Sequence, residues 1–422
     1  MAATLMAKAG TRVTLEVTVD LDGTFLESEE TILTSLNEAG NLATAVALEH
    51  FDTDGSPIDM GDVRWYSKGR QPKRYETPYG KVSVERHVYQ RSGGGKTFCA
   101  LEERTRMVGD ATPRFAKMVS HKYANGSAAQ VVEDLSSSHG RKIVRSYVLA
   151  LAERVAAVVQ AKEEVWEYEI PELSEEVASV AVGLDGTCML LCEDGWREAM
   201  TGTLSLYDKG GERLHSVYLG ATPEYGKQKF YARLNRELDR LKSVYPHARY
   251  VGLADGEKTN WQFLEGKVSE QILDFYHASG YVGQAGIAVL PNQRQAWIDE
   301  RCNRLKHEDG AAKQLLGEMK KLPIGRLRKH EKEELSSAVT YFTNHKEKMH
   351  YARWQREGLP IGSGVTEAAC KTLIKQRLCN AGMRWKDKGA SAVISLRSLV
   401  ITEGRWEQFW DKVNHYGVPR AA

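Results

Sequence analysis

The chain has 422 residues, 42% of them hydrophobic and 27% charged, with a formal net charge of +2. That length is too great for one ordinary core and predicts two or three domains, and the mix of apolar and charged residues excludes a disordered or fibrous chain. No apolar stretch approaches the roughly 18 residues of a membrane span and no signal-peptide core is legible, so a cytoplasmic protein without a membrane partner is expected.

The charge is unevenly placed. Residues 1–62 hold Lys8 and Arg12 against 12 Asp/Glu, a balance of −10, which leaves +12 for residues 63–422. Lys/Arg exceed Asp/Glu by 15 to 10 over 291–358 and by 10 to 5 over 359–422. Such a distribution suits a polyanionic partner, and equally an ordinary solvated surface. The six cysteines include no Cys-x-x-Cys, so neither a disulfide framework nor a zinc site is legible.

In chain order, residues 1–62 form an acidic N-terminal region that ends in the loop signal Asp52-Thr53-Asp54-Gly55-Ser56-Pro57. Within it, Val17-Thr18-Val19-Asp20-Leu21-Asp22-Gly23-Thr24 matches the nucleophile motif of haloacid-dehalogenase-type phosphatases. Those enzymes need a parallel sheet after the motif, and an acidic, helix-like stretch follows here, so that reading is remote. Residues 63–108 predict a small β module of short strands, with a turn at Gly93-Gly94-Gly95.

A helix-turn-helix is expected over 109–165. Thr112-Pro113 starts one helix, the capping box Ser127-Ala128-Ala129-Gln130 a second, and a third buries Val144, Tyr147, Val148, Leu151, Val155 and Val158. The opening of that third helix, with Arg141, Lys142 and Arg145, is where a recognition helix meets DNA. A plain helical bundle is the alternative.

From 172 to 290 the pattern turns α/β. Three antiparallel strands are predicted, the first running Val177–Leu184 and closing at Asp185, followed by a helix over 223–243, a strand ending at Asp255 and a short strand over 271–276. Asp194-Gly195 reads as a hairpin turn. Residues 291–358 read as wholly helical and strongly charged, and 359–422 begin with Pro360-Ile361-Gly362-Ser363-Gly364 before a helix carrying Glu367.

Asp185, Asp255 and Glu367 are the candidate catalytic and metal-binding residues. Mg²⁺ takes hard oxygen ligands, and in-line attack on a phosphodiester is served by two metals about 3.5–4 Å apart. Two strand ends and a helix can supply such carboxylates. The alternatives are ordinary Asp-Gly turns for the aspartates and an i,i+4 ion pair with Lys371 for Glu367. Asp274 and His277 place an acid and a histidine three apart, without the second ligand pair that zinc would need.

The strings Leu359-Pro360-Ile361-Gly362-Ser363-Gly364-Val365-Thr366-Glu367-Ala368-Ala369-Cys370-Lys371, Val182-Gly183-Leu184-Asp185-Gly186-Thr187-Cys188, Leu253-Ala254-Asp255-Gly256 and Leu273-Asp274-Phe275-Tyr276-His277-Ala278 resemble the Kra group of bacterial insertion-sequence transposases, allied to the Mutator-like and hAT enzymes. The resemblance covers about 70–422. It implies an RNase H-like mixed five-stranded sheet with an all-helical insertion at 291–358, and Asp185, Asp255 and Glu367 as a DDE triad. Two Mg²⁺ ions, or Mn²⁺, would be the cofactors. Asp274 and His277 match the family's Asp/Cys-x-x-His signature, implied to support the site. The partners implied are double-stranded DNA, at transposon ends and target, and further copies of the chain in a dimer or larger assembly. Arg326, Arg328 and Lys329 in the helical segment, with Lys371 and Lys375 on the Glu367 helix, are further candidates for DNA contact. Relatives often carry a zinc-ribbon-like module with paired Cys ahead of the helix-turn-helix, and here only Cys99 stands in that stretch. A domesticated DNA-binding protein that no longer cuts is the competing expectation.

Overall fold

A computed structural model describes residues 2–224 and 227–418. The chain divides into two compact units, one of residues up to Glu169 with Ser395–Val400 and the chain from Gly404, the other of Ile170–Ile394 with Ile401–Glu403.

In the first unit an antiparallel hairpin, β1 (Ala3–Ala9) and β2 (Arg12–Val17), precedes helix α1 (Phe25–Glu49). Thr24 caps α1 reciprocally with Glu27, whose carboxylate accepts the Thr24 N–H at 2.7 Å. Asp20 and Asp22 follow an antiparallel hairpin, which is not the parallel sheet the phosphatase motif requires.

Strands β3 (Ile58–Met60), β4 (Val63–Glu76), β5 (Lys81–Arg91) and β6 (Gly94–Phe98) form one antiparallel sheet. β4 and β5 run 14 and 11 residues, longer than the short strands expected. Leu48 of α1 shares a core with Tyr75, Val82, Val84, Leu101 and Met107. The acidic region and the β sheet therefore bury each other's apolar side chains. The lone Cys99 is buried beside them.

Helices α2 (Ala100–Arg104), α3 (Pro113–Asn125), α4 (Ala128–His139) and α5 (Arg145–Lys162) follow. The N1 proline of α3 and the Ser127–Gln130 capping box of α4 stand where the sequence sets them. Two details of the third helix differ. It opens at Arg145, so Val144 is its N-cap and is 63% exposed, not part of the buried face. Arg141 is 5% exposed; its guanidinium donates to Glu76 Oε2 at 2.5 Å and to the Thr77 carbonyl at 3.0 Å, and lies over the Phe115 ring. A C-terminal helix (Arg405–Tyr416) completes this unit, with Gln408 bonded to the Glu169 backbone and Lys117 paired with Glu407.

The second unit is a mixed five-stranded sheet. β7 (Ser179–Leu191), β8 (Gly195–Tyr207) and β9 (Arg213–Ala221) are antiparallel neighbours, and helix α6 (Gln228–Val244) leads to β10 (Arg249–Ala254), parallel to β7. Helix α7 (Lys258–Leu264) connects to β11 (Glu270–Leu273), parallel to β10 at the edge, giving the order β11-β10-β7-β8-β9. β7 does not close at Asp185 but runs six residues further beside β8, turning at Asp194-Gly195 with Gly195 at φ 70°. β11 stops at Leu273, and Asp274 caps helix α8 (Phe275–Ala285), so Tyr276 and His277 are helical.

Helices α9 (Arg294–His307), α10 (Ala311–Met319), α11 (Lys329–His345) and α12 (Tyr351–Arg356) occupy the charged stretch. They are no appendage: Leu305, Leu315, Met319, Phe342 and Trp354 belong to the same core cluster as Val182, Leu204, Leu234 and Leu253. α13 (Gly364–Ala369), a π-helical segment Cys370–Lys375 and α14 (Gln376–Leu378) follow, then α15 (Asp387–Ile401).

Candidate active site

The centre of the second sheet places the site. β7 and β10 pair in parallel with Leu253 opposite Gly183, so counting two residues along each strand sets Asp255 beside Asp185. β10 ends at Ala254 while β7 continues, and the edge left open there is where both half-buried carboxylates stand. This is the C-terminal end of a parallel pair, where open α/β sheets hold their ligands. Asp255 is fixed by the Glu257 N–H on its Oδ1 at 3.1 Å, and its carbonyl accepts the Tyr341 hydroxyl of α11 at 2.6 Å.

The Glu367 helix comes down on β7 because position 183 has no side chain. A Cβ there would lie 2.0 Å from Thr366 Oγ1 and 2.8 Å from Thr203 Oγ1, and those two hydroxyls instead bond each other at 2.7 Å across the glycine. One turn on, the Cys370 thiol donates to Asp185 Oδ2 at 3.5 Å. The π-helical segment begins at that cysteine; such single-turn bulges recur at functional sites. Glu367 is half-exposed, and its Oε1 accepts the Ser363 hydroxyl at 3.2 Å. His277 Nδ1 lies 3.8 Å from the same oxygen, so the ionisable side chain beside Glu367 is His277 rather than Lys371.

Asp274 is fully buried and fully engaged. Its Oδ1 accepts the His277 N–H at 2.7 Å and faces His277 Nδ1 at 3.1 Å, while Oδ2 accepts the Ser363 N–H at 2.5 Å. The carboxylate therefore ties α8 to the turn that launches the Glu367 helix. Burial raises its pKa, but the hydrogen bonds from His277 and Ser363 outweigh burial and hold it below the usual range.

Charge is concentrated here. Burial and then the charge of Asp255 push Asp185 up, against the Gly186 N–H, the Cys370 thiol and His277. His277 is raised by its bond to Asp274 and, against burial, by the charges of Asp274, Asp255 and Glu367.

Asp274, His277 and Glu367 are the one group of ligand-type side chains among the described residues whose donor atoms lie within 4.8 Å of one another. Asp274 is the least open of the three, being fully buried with N–H donors on both of its oxygens. Asp185, Asp255 and Glu367 do not come within that spacing of one another, but all three are at least partly exposed and present hard oxygens, the donor chemistry a small divalent cation takes.

The remaining candidates divide. Lys142 and Arg145 are exposed at the start of α5, whereas Arg141 is committed to the fold and is not available to a phosphate. Lys371 and Lys375 are exposed along the Glu367 helix. Arg326, Arg328 and Lys329 are exposed before and at the start of α11, with Arg328 paired to Glu331 at 3.0 Å. Cys370, Ser363 and Tyr341 were not among the sequence candidates. The glycine-flanked Ser363 ahead of the Glu367 helix was the legible signal; Tyr341 carried none. Comparison with models of protein families and with curated proteins gives no match to this chain.

Proposed function

We propose that the chain is a DDE transposase: an RNase H-like catalytic unit that cuts and joins DNA at the ends of its own mobile element with Asp185, Asp255 and Glu367. The observation that carries this reading is the β7–β10 register, which sets two aspartates side by side at the open end of a parallel pair, with a glutamate helix seated over Gly183 above them.

When bound, a pair of Mg²⁺ or Mn²⁺ ions would supply the Lewis acidity that polarises the scissile phosphodiester and activates water. The chain's own work is positional. Asp185 is held by the Gly186 N–H and the Cys370 thiol, Asp255 by the Glu257 N–H, and Glu367 by Ser363 and the Thr366–Thr203 contact, so each carboxylate would meet the phosphate already positioned. Asp274 holds α8 against the Ser363 turn and orients His277 toward Glu367. Water cuts the strand, and the released 3′-hydroxyl attacks target DNA. Lys371 and Lys375 lie on the Glu367 helix to receive the phosphate backbone, while Lys142, Arg145, Arg326, Arg328 and Lys329 serve element-end or target DNA. Joining two ends in one event calls for a dimer or larger assembly on the DNA. Among the described residues no helix is long and apolar enough to cross a membrane.

The test is strand nicking by the purified full chain on DNA carrying the element ends. Asp185→Asn, Asp255→Asn and Glu367→Gln should each abolish Mg²⁺-dependent nicking while DNA binding and the folded circular-dichroism signal persist. Ca²⁺ in place of Mg²⁺ should permit binding without cutting, since its looser coordination does not hold the compact octahedral geometry. Nicking by Asp185→Asn at the parent rate would end the proposal.

A further inference from the structure

The first half of helix α1, up to Leu36, is amphipathic the wrong way round for a monomer, whereas its second half buries Val46 and Leu48. The first half buries Ser28 and Ser35, while Phe25, Leu26 and Leu36 are 79%, 64% and 56% exposed, and Ile32 and Leu33 are exposed beside them. At 100° per residue these five side chains form one stripe, with Glu29 along its middle and Glu30 at its rim. The neighbouring hairpin adds exposed Leu5, Met6 and Val17. Ten of the 21 large apolar side chains found exposed among the described residues lie in the first 51 positions, a concentration above the usual scatter. Between hairpin and helix opens a cleft of about 600 Å³ whose lining includes Asp20, Glu27 and Glu30.

We propose that this face is a docking site for a basic amphipathic helix of a partner protein. The partner's apolar stripe covers Phe25, Leu26, Leu33 and Leu36, and its Lys or Arg side chains reach Glu29, Glu30 and the acidic cleft. Charge chooses the occupant. The region carries −10, which repels nucleic acid and anionic lipid alike. A second copy would bring another Glu29 and another −10 to the same stripe, a like-charge clash across an apolar interface. A cationic helix satisfies both the stripe and its rim.

The probe is a synthetic helical peptide with a leucine face and lysine rims, read by fluorescence anisotropy against the full chain, beside a matched peptide with glutamate rims. The parent should bind the lysine peptide, less tightly as salt rises, and not the glutamate peptide. Phe25→Ser/Leu33→Ser/Leu36→Ser should weaken binding roughly tenfold or more with an unchanged melting curve, because these side chains are solvent-facing. Glu29→Lys/Glu30→Lys should shift preference toward the glutamate peptide. Equal binding by the parent and the serine variant would overturn the proposal, as the acidic surface alone would then explain it. So would sedimentation showing a parent dimer that the serine variant turns into monomer, which would assign the stripe to a second copy.

Discussion

Gly183 is the residue on which the site's geometry turns. A methyl group there meets Thr366 Oγ1 at 2.0 Å, and neither the central strand nor the buried threonine can retreat cheaply. Gly183→Ala should destabilise the chain by about 1–3 kcal/mol through overpacking. Nicking should fall further than that loss implies, because Glu367 is the next residue along. Adding Thr366→Ala should recover part of both, read by denaturant titration and by nicking side by side. A Gly183→Ala protein with parent stability and parent activity would show that the close approach is not needed. Arg141 carries the opposite lesson. As a basic residue at a predicted helix start it read as a DNA contact, yet it is the buried cation between the first sheet and the helices, bonded to Glu76 and Thr77. Which of three nearby basic residues turns inward depends on where Glu76 lies, 65 positions back, and local sequence holds no record of that.

At the scale of elements, the triad's supports were partly legible. The apolar runs before Asp185 and Asp255, the proline and capping box of α3 and α4, and the Asp194-Gly195 turn could be read from local pattern. Asp185-Gly186 looked like a strand end because that pair favours turns. The alternation of buried Thr187, Met189 and Leu191 with exposed Cys188 carried the contrary signal of a continuing strand. The parallel register that joins Asp255 to Asp185 is non-local and could not be read at all. The four helices over 294–356 are likewise bound to the sheet by a shared core that periodicity alone does not reveal. Replacing residues 294–356 by a flexible linker should therefore unfold the second unit instead of leaving a working sheet, and Phe342→Ala should cost about 3–5 kcal/mol. Charge reversal at the exposed Arg326, Arg328 and Lys329 should leave the melting curve in place and lower strand joining. A cooperative melt from the linker protein would show the helices to be detachable.

For the whole molecule, the first unit is built from both ends of the chain. Its sheet and helices take Leu48 from α1 at one end, and the C-terminal helix is bonded to Glu169 and Arg106 at the other. A fragment limited to 63–165, the span that sequence pattern marks out as strands plus helix-turn-helix, lacks both. It should show no cooperative thermal transition, while the full chain should; a sharp melt from that fragment would mean that the added segments are dispensable.

The C-terminal helix also sets an order of events during synthesis. Residues 170–394 emerge between the two parts of the first unit, and from residue 169 to residue 418 the ribosome works for on the order of 10 to 50 s. In that interval the five-stranded sheet can close, whereas the unit carrying Lys142 and Arg145 still waits for its last helix. A chain released early would keep its five-stranded sheet but lack a finished first unit. If the proposed function holds, translation itself thus delays element-end recognition until the chain is nearly finished.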